Sequence, residues 1–411
     1  MAHTVDNKAD NKRMKSSSMT QFNLEQHSST EELLPGIHNE ITVQRISTKL
    51  PWITVHTLSS VSRAWRAAVR SRELFDARVR AHSTNTLVVI NHTLSCKTLG
   101  ISLYSMQARA CYRLPPIPYV MSGIPKSCKC VTLDGKIYIL GGLQGFRLGS
   151  KEVYMFDVAG QGGWKKCASM HVARQDFACG AVNGKIYVCG GTSCCMHPGR
   201  APVCGMEIYD PKTDKWTTIM PMPSWRACHD VGIIGDELLV YGGVFINLDV
   251  KQEEVIYGPF RTPQLKYTCW RSDDCLEVYN TKEDRWRKAE LKTYPASSYE
   301  RFFIADGRLH SISPSTIFVF DCGKNTKACL QSSLLWTPYS PTAYAVPITV
   351  VAVDHELLVI SDWTHYPDYK TRILFQSRGF GMGDRTVVWE QPETPFSFYG
   401  LRSPFMVPLH V

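Results

Sequence analysis

The 411-residue sequence lacks the long apolar runs and short catalytic signatures that mark several large protein classes. It contains no run of 18 or more apolar residues, so we expect no transmembrane helix. Its start, MAHTVDNKADNKRMKSSS, has no apolar core, so we expect no secretory signal there. The motifs G-x-x-x-x-G-K-[ST], H-E-x-x-H and G-x-S-x-G are all absent, which argues against a P-loop nucleotidase, a zincin and a serine hydrolase.

Cysteine is plentiful, but its spacing does not indicate a metal site. No two of the 15 cysteines have the C-x-x-C spacing that is common in zinc sites. Cys128 and Cys130 alternate along a predicted strand and therefore do not converge on one ion. We expect no metal and no cofactor, and we expect reduced thiols in a protein of the cytoplasm, the nucleus or both. The densest group of metal-ligand residue types is best explained as a thiol-rich loop: Cys189, Cys194, Cys195, His197 and Cys204.

The charge of the chain is positive but dispersed. The net charge of +9 favours acidic partners, yet no basic stripe alternates with aromatic residues. We therefore expect neither a nucleic-acid partner nor a membrane partner. Residues 1–29 are polar and rich in Ser, which predicts a disordered tail. A weak nuclear-localisation patch is the alternative for the basic residues of this tail: Lys8, Lys12, Arg13 and Lys15.

One short pattern recurs along the remaining chain. It reads DGKIYILGG from Asp134, NGKIYVCGG from Asn183 and GDELLVYGG from Gly235, with weaker copies from Asp306 and Asp354. Turn-forming residues come first, then a β-branched and aromatic run typical of a strand. Aligned on the first apolar residue, the copies lie 49, 52, 71 and 48 residues apart, at Ile137, Ile186, Leu238, Leu309 and Leu357.

A second series has the same period. Tryptophans that open a later strand are separated by 52, 70, 50 and 53 residues, at Trp164, Trp216, Trp286, Trp336 and Trp389. A period near 50 is typical of propeller blades, and the long interval marks an insertion at about residues 244–274. The unit resembles the kelch repeat, which implies a four-stranded antiparallel blade over residues 80–411. The repeated Gly, Tyr and Trp residues then build blades and perform no chemistry.

The first blade is irregular and has no inner strand of its own ahead of Leu87. The segment LVVI from Leu87 lies 50 residues before Ile137 and fills the position of the second strand. The C-terminal GLRSPFMVPLHV from Gly400 resembles the inner strands of other blades. We therefore predict six blades, closed by a C-terminal strand that completes blade one and removes a free sheet edge.

Residues 30–78 predict a small all-α module ahead of the propeller. Pro51 should end the first helical segment. Leu58, Val61, Trp65 and Val69 are spaced by three, four and four residues, which predicts one face of a single helix. So small a module buries little surface alone and usually docks onto a partner or a neighbouring domain. A simple helical cap on the propeller is the alternative.

The order LLPG-I-x-x-E-I, I-x-x-x-L-P, L-x-x-V-S-R-x-W-R and S-x-E-L-F resembles the F-box. His38 and Asn39 depart from the family's Pro-Asp pair, and Asn39 is the expected helix cap. The resemblance implies an adaptor that binds Skp1 within an SCF-type ubiquitin ligase, together with cullin and RING subunits. It assigns the Skp1-binding surface to Leu33, Leu34, Pro35, Ile37, Ile41, Ile46, Leu50, Pro51, Leu58, Val61 and Trp65.

The propeller would then hold the protein to be ubiquitinated. Arg174 and Arg226 each lie 12 residues before their reference positions, and with Lys126 and Arg402 they predict a ring of cations at one channel mouth. Such a ring suits an acidic segment, because Arg forks onto carboxylates. Pairing of each Arg with a carboxylate of a neighbouring blade is the equal alternative. A second candidate surface is the blade-four insertion, with Lys251, Tyr257, Phe260, Arg261, Tyr267 and Trp270.

Three functional hypotheses follow from these patterns. The first is a non-catalytic substrate receptor of a ubiquitin ligase. The second is a kelch scaffold without any ligase. The third is a kelch enzyme that holds a metal in its channel, which would need His or carboxylate ligands at one mouth.

Overall fold

The computed structural model describes a helical module followed by strands that form six blades. The residues it describes are 32–95, 98–118, 120, 124–144, 148–158, 163–193, 203, 205–245, 256–257, 263–264, 275–290, 301–313, 316–321, 326–332, 344–365, 369–378, 388–392 and 404–411.

The helical module contains four helical stretches. The first changes from α-helix to π-helix and then to 3-10 helix, over Asn39–Ile41, Thr42–Ile46 and Ser47–Lys49. Leu50 is extended, so this stretch ends before Pro51 as predicted. The other three are α-helices at Trp52–Leu58, Arg63–Val69 and Arg72–Arg80.

The prediction of one helix through Leu58 and Val69 is wrong. The chain leaves the helical conformation after Leu58, and a new helix begins at Arg63. Ser62 is extended, and its hydroxyl accepts a hydrogen bond from the Trp65 amide at 3.2 Å, which caps the new helix. Ser62 therefore starts a new helix, although the apolar residues on both sides of it keep the spacing of a single helix.

Each blade is a four-stranded antiparallel sheet, described here from its inner to its outer strand. Blade two has Lys129–Leu133, Lys136–Leu140, Val153–Asp157 and Trp164–Lys166. Blade three has Ala178–Val182, Lys185–Cys189, Met206–Asp210 and Lys215–Ile219. Blade four has Asp230–Ile234, Glu237–Tyr241, Cys275–Asn280 and Arg285–Glu290. Blade five has Arg301–Ala305, Arg308–Ile312, Thr316–Asp321 and Thr326–Ser332. Blade six has Tyr344–Val353, Glu356–His365, Tyr369–Arg378 and Val388–Glu390.

Blade one confirms the predicted closure. Its inner strand is the C-terminal Met406–His410, which pairs antiparallel with Thr86–Ser95, and Leu87 lies opposite Leu409. The chain then supplies Thr98–Ser105 and Ala110–Arg113 as the third and outer strands. Inner strands of neighbouring blades contact each other all the way round, so they form a closed ring about a central channel. Short two-stranded ribbons add Leu143–Gln144 with Leu148–Gly149, Arg226–Ala227 with Val244–Phe245, and Ile256–Tyr257 with Pro263–Gln264.

The paired glycines explain how neighbouring blades fit together. Gly190 has φ +66°, and a Cβ there would lie 2.4 Å from a ring carbon of His229 in the next blade. A Cβ on Gly191 would lie 2.6 Å from the carbonyl oxygen of Gln175 in its own blade. The first glycine therefore permits the contact between blades and the second the contact within a blade.

The tryptophans fasten the outer edges of the blades. The Trp216 ring packs on Tyr209 with centroids 5.1 Å apart, and its Nε1 donates to the Ala168 carbonyl at 2.8 Å. Trp164 makes the equivalent bond to the Pro115 carbonyl at 2.7 Å. Each accepting carbonyl follows the outer strand of the preceding blade, so the repeated Trp joins two blades.

The propeller has two distinct faces. We call the side that carries the turns between inner and second strands, such as Asp134–Gly135, the hairpin face. Since the second strand runs away from that turn, its connection to the third strand lies on the opposite side, the loop face. The blade-four insertion is one such connection, so it leaves the sheet on the loop face.

Candidate functional site

The helical module has its own small core. Seven side chains are buried together: Leu33, Val43, Val55, Ala64, Trp65, Val69 and Leu74. His38, not Asn39, caps the first helix, because its Nδ1 accepts a hydrogen bond from the Glu40 amide at 3.3 Å. Asn39 instead accepts from the Leu33 amide at 2.7 Å, which holds the preceding segment against the helix. The prediction of an Asn39 cap is therefore wrong.

The residues predicted to bind Skp1 divide by exposure. Leu33 and Trp65 are buried in the module's core and serve its folding. Ile41 is 49% exposed and Val61 is 65% exposed, which is unusual for β-branched apolar side chains. Pro35 and Pro51 are also exposed, and five others are half-buried: Leu34, Ile37, Ile46, Leu50 and Leu58. Apolar side chains left at a surface are available to a protein partner.

A buried arginine joins the module to the propeller. Arg78 is only 3% exposed, and its guanidinium donates to the carbonyls of Leu50 at 2.8 Å and Ser83 at 2.9 Å. It also donates to Asn85 Oδ1 at 2.7 Å, an atom that accepts from the Trp52 amide at the same distance. Burial lowers the pKa of Arg78, although arginine remains charged at neutral pH. The backbone of Asn85 pairs in both directions with Val411, which follows the closing strand.

Two further contacts fix the position of the module. Arg72 donates to the carbonyl of Asp134 at 2.9 Å, in the turn of blade two. The Trp52 ring packs edge-on against Tyr112 in the outer strand of blade one, with centroids 5.8 Å apart. The helices therefore lie on the hairpin face, and the loop face remains on the other side of the propeller.

Arg174 and Arg226 do not form the predicted ring of exposed cations. Arg174 is 0% exposed, and its guanidinium lies 2.9 Å from Glu207 Oε1. Arg226 is equally buried and lies 3.1 Å from Glu277 Oε2. Both carboxylates come from the third strand of the arginine's own blade, not from a neighbouring blade. A buried charge of this kind needs a buried partner. Each pair connects the segment before the inner strand to the third strand of the same blade.

Of the other two predicted cations, Lys126 lies within the described residues and Arg402 does not. Lys126 is exposed, and its backbone forms a bridge to Leu143. Arg402 lies outside the described residues, as do Lys251, Phe260, Arg261, Tyr267 and Trp270 of the insertion. Tyr257 belongs to the Ile256–Tyr257 ribbon. Binding of a protein by Lys126, Arg402 and the insertion stays a prediction.

The central channel forms a cavity of about 760 Å³. Three residues just before the inner strands of blades two, three and four line it at the loop face, and all have left-handed backbones: Ser127, Asp176 and Cys228, with φ of 54°, 54° and 56°. The charged side chains deeper in its lining are Lys129, Asp230 and Arg301. Sequence reasoning missed the first two, although each lies eight residues before its reference position, as Arg301 does.

The described part of the chain contains several buried thiols but no cluster of metal ligands. No group of three or more His, Cys, Asp and Glu side chains within it is placed to hold a metal ion. Burial raises the pKa of the Cys128, Cys179 and Cys189 thiols to about 12, so they are protonated at neutral pH. Of the predicted thiol-rich loop, Cys194, Cys195, His197 and Cys204 lie outside the described residues.

None of the helices in the described ranges is both long enough and apolar enough to cross a membrane.

Comparison with known proteins agrees with both parts of this architecture. Residues 125–171 and 173–223 match the kelch motif family. F-box/kelch-repeat protein At1g67480 of Arabidopsis thaliana is 30% identical over 336 residues, which cover 75% of this chain and 83% of that protein. F-box/kelch-repeat protein SKIP30 of the same plant is 32% identical over 226 residues, covering 52% and 60%. F-box protein AFR, also from Arabidopsis thaliana, is 28% identical over 269 residues, covering 64% of each. The chain belongs to the family of F-box/kelch-repeat proteins, which makes it an F-box adaptor with a kelch propeller of the kind that binds proteins.

Proposed function

We propose that this chain is the substrate receptor of an SCF-type ubiquitin ligase. The observation that carries the proposal is the separation of two surfaces on one body. Exposed apolar side chains, with Ile41 and Val61 the most exposed, are on the helical module at the hairpin face. The channel opens at the loop face, where the blade-four insertion also leaves the sheet. One surface suits a Skp1-like adaptor, and the other is left for a captured protein.

The mechanism is proximity, and the chain performs no chemistry of its own. Tethering raises the effective concentration of a captured protein's lysines near the ubiquitin-conjugating enzyme that cullin and RING subunits recruit. The Arg78 contacts hold the propeller in one orientation relative to the helices, which keeps the captured protein at a fixed side of the complex. The positive net charge of the chain supports an acidic segment as the captured feature. This function places the protein in the cytoplasm, the nucleus or both.

A scaffold without a ligase is the second candidate, and binding to purified Skp1 separates the two. Trp65 is a poor position for the test, because it is buried and its loss would unfold the module. Ile41→Asp combined with Val61→Asp changes exposed side chains only. Val79→Asp is the matched control, since Val79 is 47% exposed on the module's last helix and outside the assigned surface.

Wild-type chain and Val79→Asp are expected to bind Skp1 with equal affinity. The Ile41→Asp, Val61→Asp variant is expected to bind about 30-fold more weakly or not at all, because each change buries a charge in an apolar interface. Far-UV circular dichroism establishes that all three chains are folded. Failure of the folded wild-type chain to bind Skp1 would overturn the ligase proposal in favour of the scaffold.

A further inference from the structure

Six residues at one level of the inner strands surround the channel near the loop face. Each lies opposite the corresponding residue of its second strand, as Lys129 does opposite Leu140 and Asp230 opposite Tyr241. This level, which we call the charged ring, consists of Lys129, Ala178, Asp230, Arg301, Thr349 and Met406. All of them except Ala178 line the cavity.

An ion pair within the charged ring reaches past a whole blade. Lys129 of blade two and Asp230 of blade four are joined by a contact of 2.8 Å between Nζ and Oδ1. Blade three lies between them and contributes Ala178 at this level, which is buried in the hydrophobic core and does not line the cavity. The pair therefore lies across part of the channel, where the Asp230 side chain keeps 61% of its surface exposed.

A second cation acts on the same carboxylate from the other side. Arg301 of blade five is held by a hydrogen bond from its Nε to the Ile348 carbonyl at 3.0 Å. Burial alone would raise the pKa of Asp230, but Lys129 and Arg301 together hold it below its usual value. The charged ring thus contains two cations and one carboxylate, and Asp230 occupies the position between the cations.

The geometry points to the charged ring as a carboxylate-binding site, in which Asp230 stands in for an acidic side chain of the captured protein. Lys129 and Arg301 are the recognising groups, and the incoming carboxylate displaces Asp230 from Lys129. The inference rests on the proposed capture of an acidic segment by the propeller, and it assigns that capture to residues other than the buried Arg174 and Arg226. The free charged ring has two cations and one carboxylate, so an incoming carboxylate brings its positive and negative charges into balance.

The test uses the full chain and a fluorescein-labelled decapeptide of glutamate, with a glutamine decapeptide as the uncharged comparison. Binding is followed by fluorescence anisotropy at low ionic strength, where charge interactions are least screened. Asp230→Asn removes the internal competitor and is expected to tighten glutamate-peptide binding about tenfold, the value of one charge-assisted hydrogen bond. Lys129→Met and Arg301→Met are each expected to weaken it about tenfold. The glutamine peptide should bind all variants weakly and equally.

Arg287→Met is the matched control for net charge. Arg287 is on the outer strand of blade four, where it pairs with Glu237 of the second strand; it is not among the residues that line the channel, and its loss should leave binding unchanged. Equal weakening by Arg287→Met and Lys129→Met would show only diffuse attraction and would overturn the inference. So would unchanged affinity in Asp230→Asn, or equal binding of the two peptides. Because Skp1 is not part of this assay, its result is independent of the Skp1-binding test.

Discussion

Blade three and the junction between helices and propeller each bury an arginine, but they compensate its charge in different ways. In blade three, Arg174 meets the carboxylate of Glu207. At the junction, the oxygens that contact Arg78 among the described residues are neutral; they are the carbonyls of Ser47, Leu50 and Ser83 and the amide of Asn85. The repeat supplies a full opposite charge, while the junction distributes one positive charge over several dipoles.

The difference follows from how each environment is built. Blade four has the same buried ion pair as blade three. Arg226 and Glu277 occupy the positions that Arg174 and Glu207 occupy relative to the strands. The junction occurs once, where carbonyls are left over at the ends of the Ser47–Lys49 and Arg72–Arg80 helices. A single arginine there satisfies several of them and joins helices to propeller.

The largest effect is expected from breaking the pair in blade three. Glu207→Gln leaves the Arg174 guanidinium buried without its counter-charge, and it removes an acceptor for the His171 amide. Removal of one partner of a buried ion pair costs about 3–5 kcal/mol of unfolding free energy. Urea denaturation followed by tryptophan fluorescence measures the loss.

Glu237→Gln is the control for this change, because the Glu237–Arg287 pair is partly exposed to solvent. Exposed pairs contribute about 0–1 kcal/mol, so its stability should stay near that of the wild-type chain. Equal losses in Glu207→Gln and Glu237→Gln would show that the buried pair has no special part in blade three.

A somewhat smaller and differently located effect is expected at the junction. Arg78→Met keeps much of the side-chain volume but leaves the carbonyls of Leu50 and Ser83 without their donor. We expect a loss of about 3 kcal/mol, in line with several charge-assisted hydrogen bonds that are not additive.

The location of the loss distinguishes Arg78→Met from Glu207→Gln. Helicity, followed by far-UV circular dichroism, should disappear at lower urea than the tryptophan fluorescence change of the propeller. In the wild-type chain the two transitions should coincide. Coincident transitions in Arg78→Met as well would contradict a role for Arg78 in coupling the module to the propeller.

The repeated part of the fold was predictable because each blade makes the same contacts. The period gave the six blades, and the strand from Met406 closed blade one as the similarity of GLRSPFMVPLHV to other inner strands predicted. The helix break at Ser62 was missed, because Leu58, Val61, Trp65 and Val69 keep helical spacing across it. Hydrophobic spacing alone does not report a capping residue that starts a new helix.

The candidate site was predictable only in outline. The positions of Arg174 and Arg226 in the repeat were identified correctly, but their burial depends on carboxylates 33 and 51 residues away in sequence. Lys129 and Asp230 were not predicted, because they lie eight residues before their reference positions, whereas the predicted Arg174 and Arg226 lie twelve residues before theirs. The Arg78 contacts had no repeat to reveal them, since their oxygens come from two segments that occur once, around Leu50 and around Ser83.

His229 adds to the comparison a buried basic side chain that stays neutral. Burial, with Lys129 and Arg226 nearby, lowers its pKa to about 3, while Asp230 only partly opposes this. Between pH 6.5 and 3 the unfolded chain therefore binds a proton that the folded chain does not, so stability falls as pH falls. From pH 7 to pH 5 this group should lower the free energy of unfolding by about 2 kcal/mol.

The His229→Gln variant cannot take up that proton. Its free energy of unfolding should therefore fall by about 2 kcal/mol less than that of the wild-type chain over the same pH range, as measured by urea denaturation at each pH. Parallel declines in the two chains would mean that the imidazole is protonated in the folded blade. The His229 site would then hold a buried positive charge, as the Arg174 and Arg78 sites do.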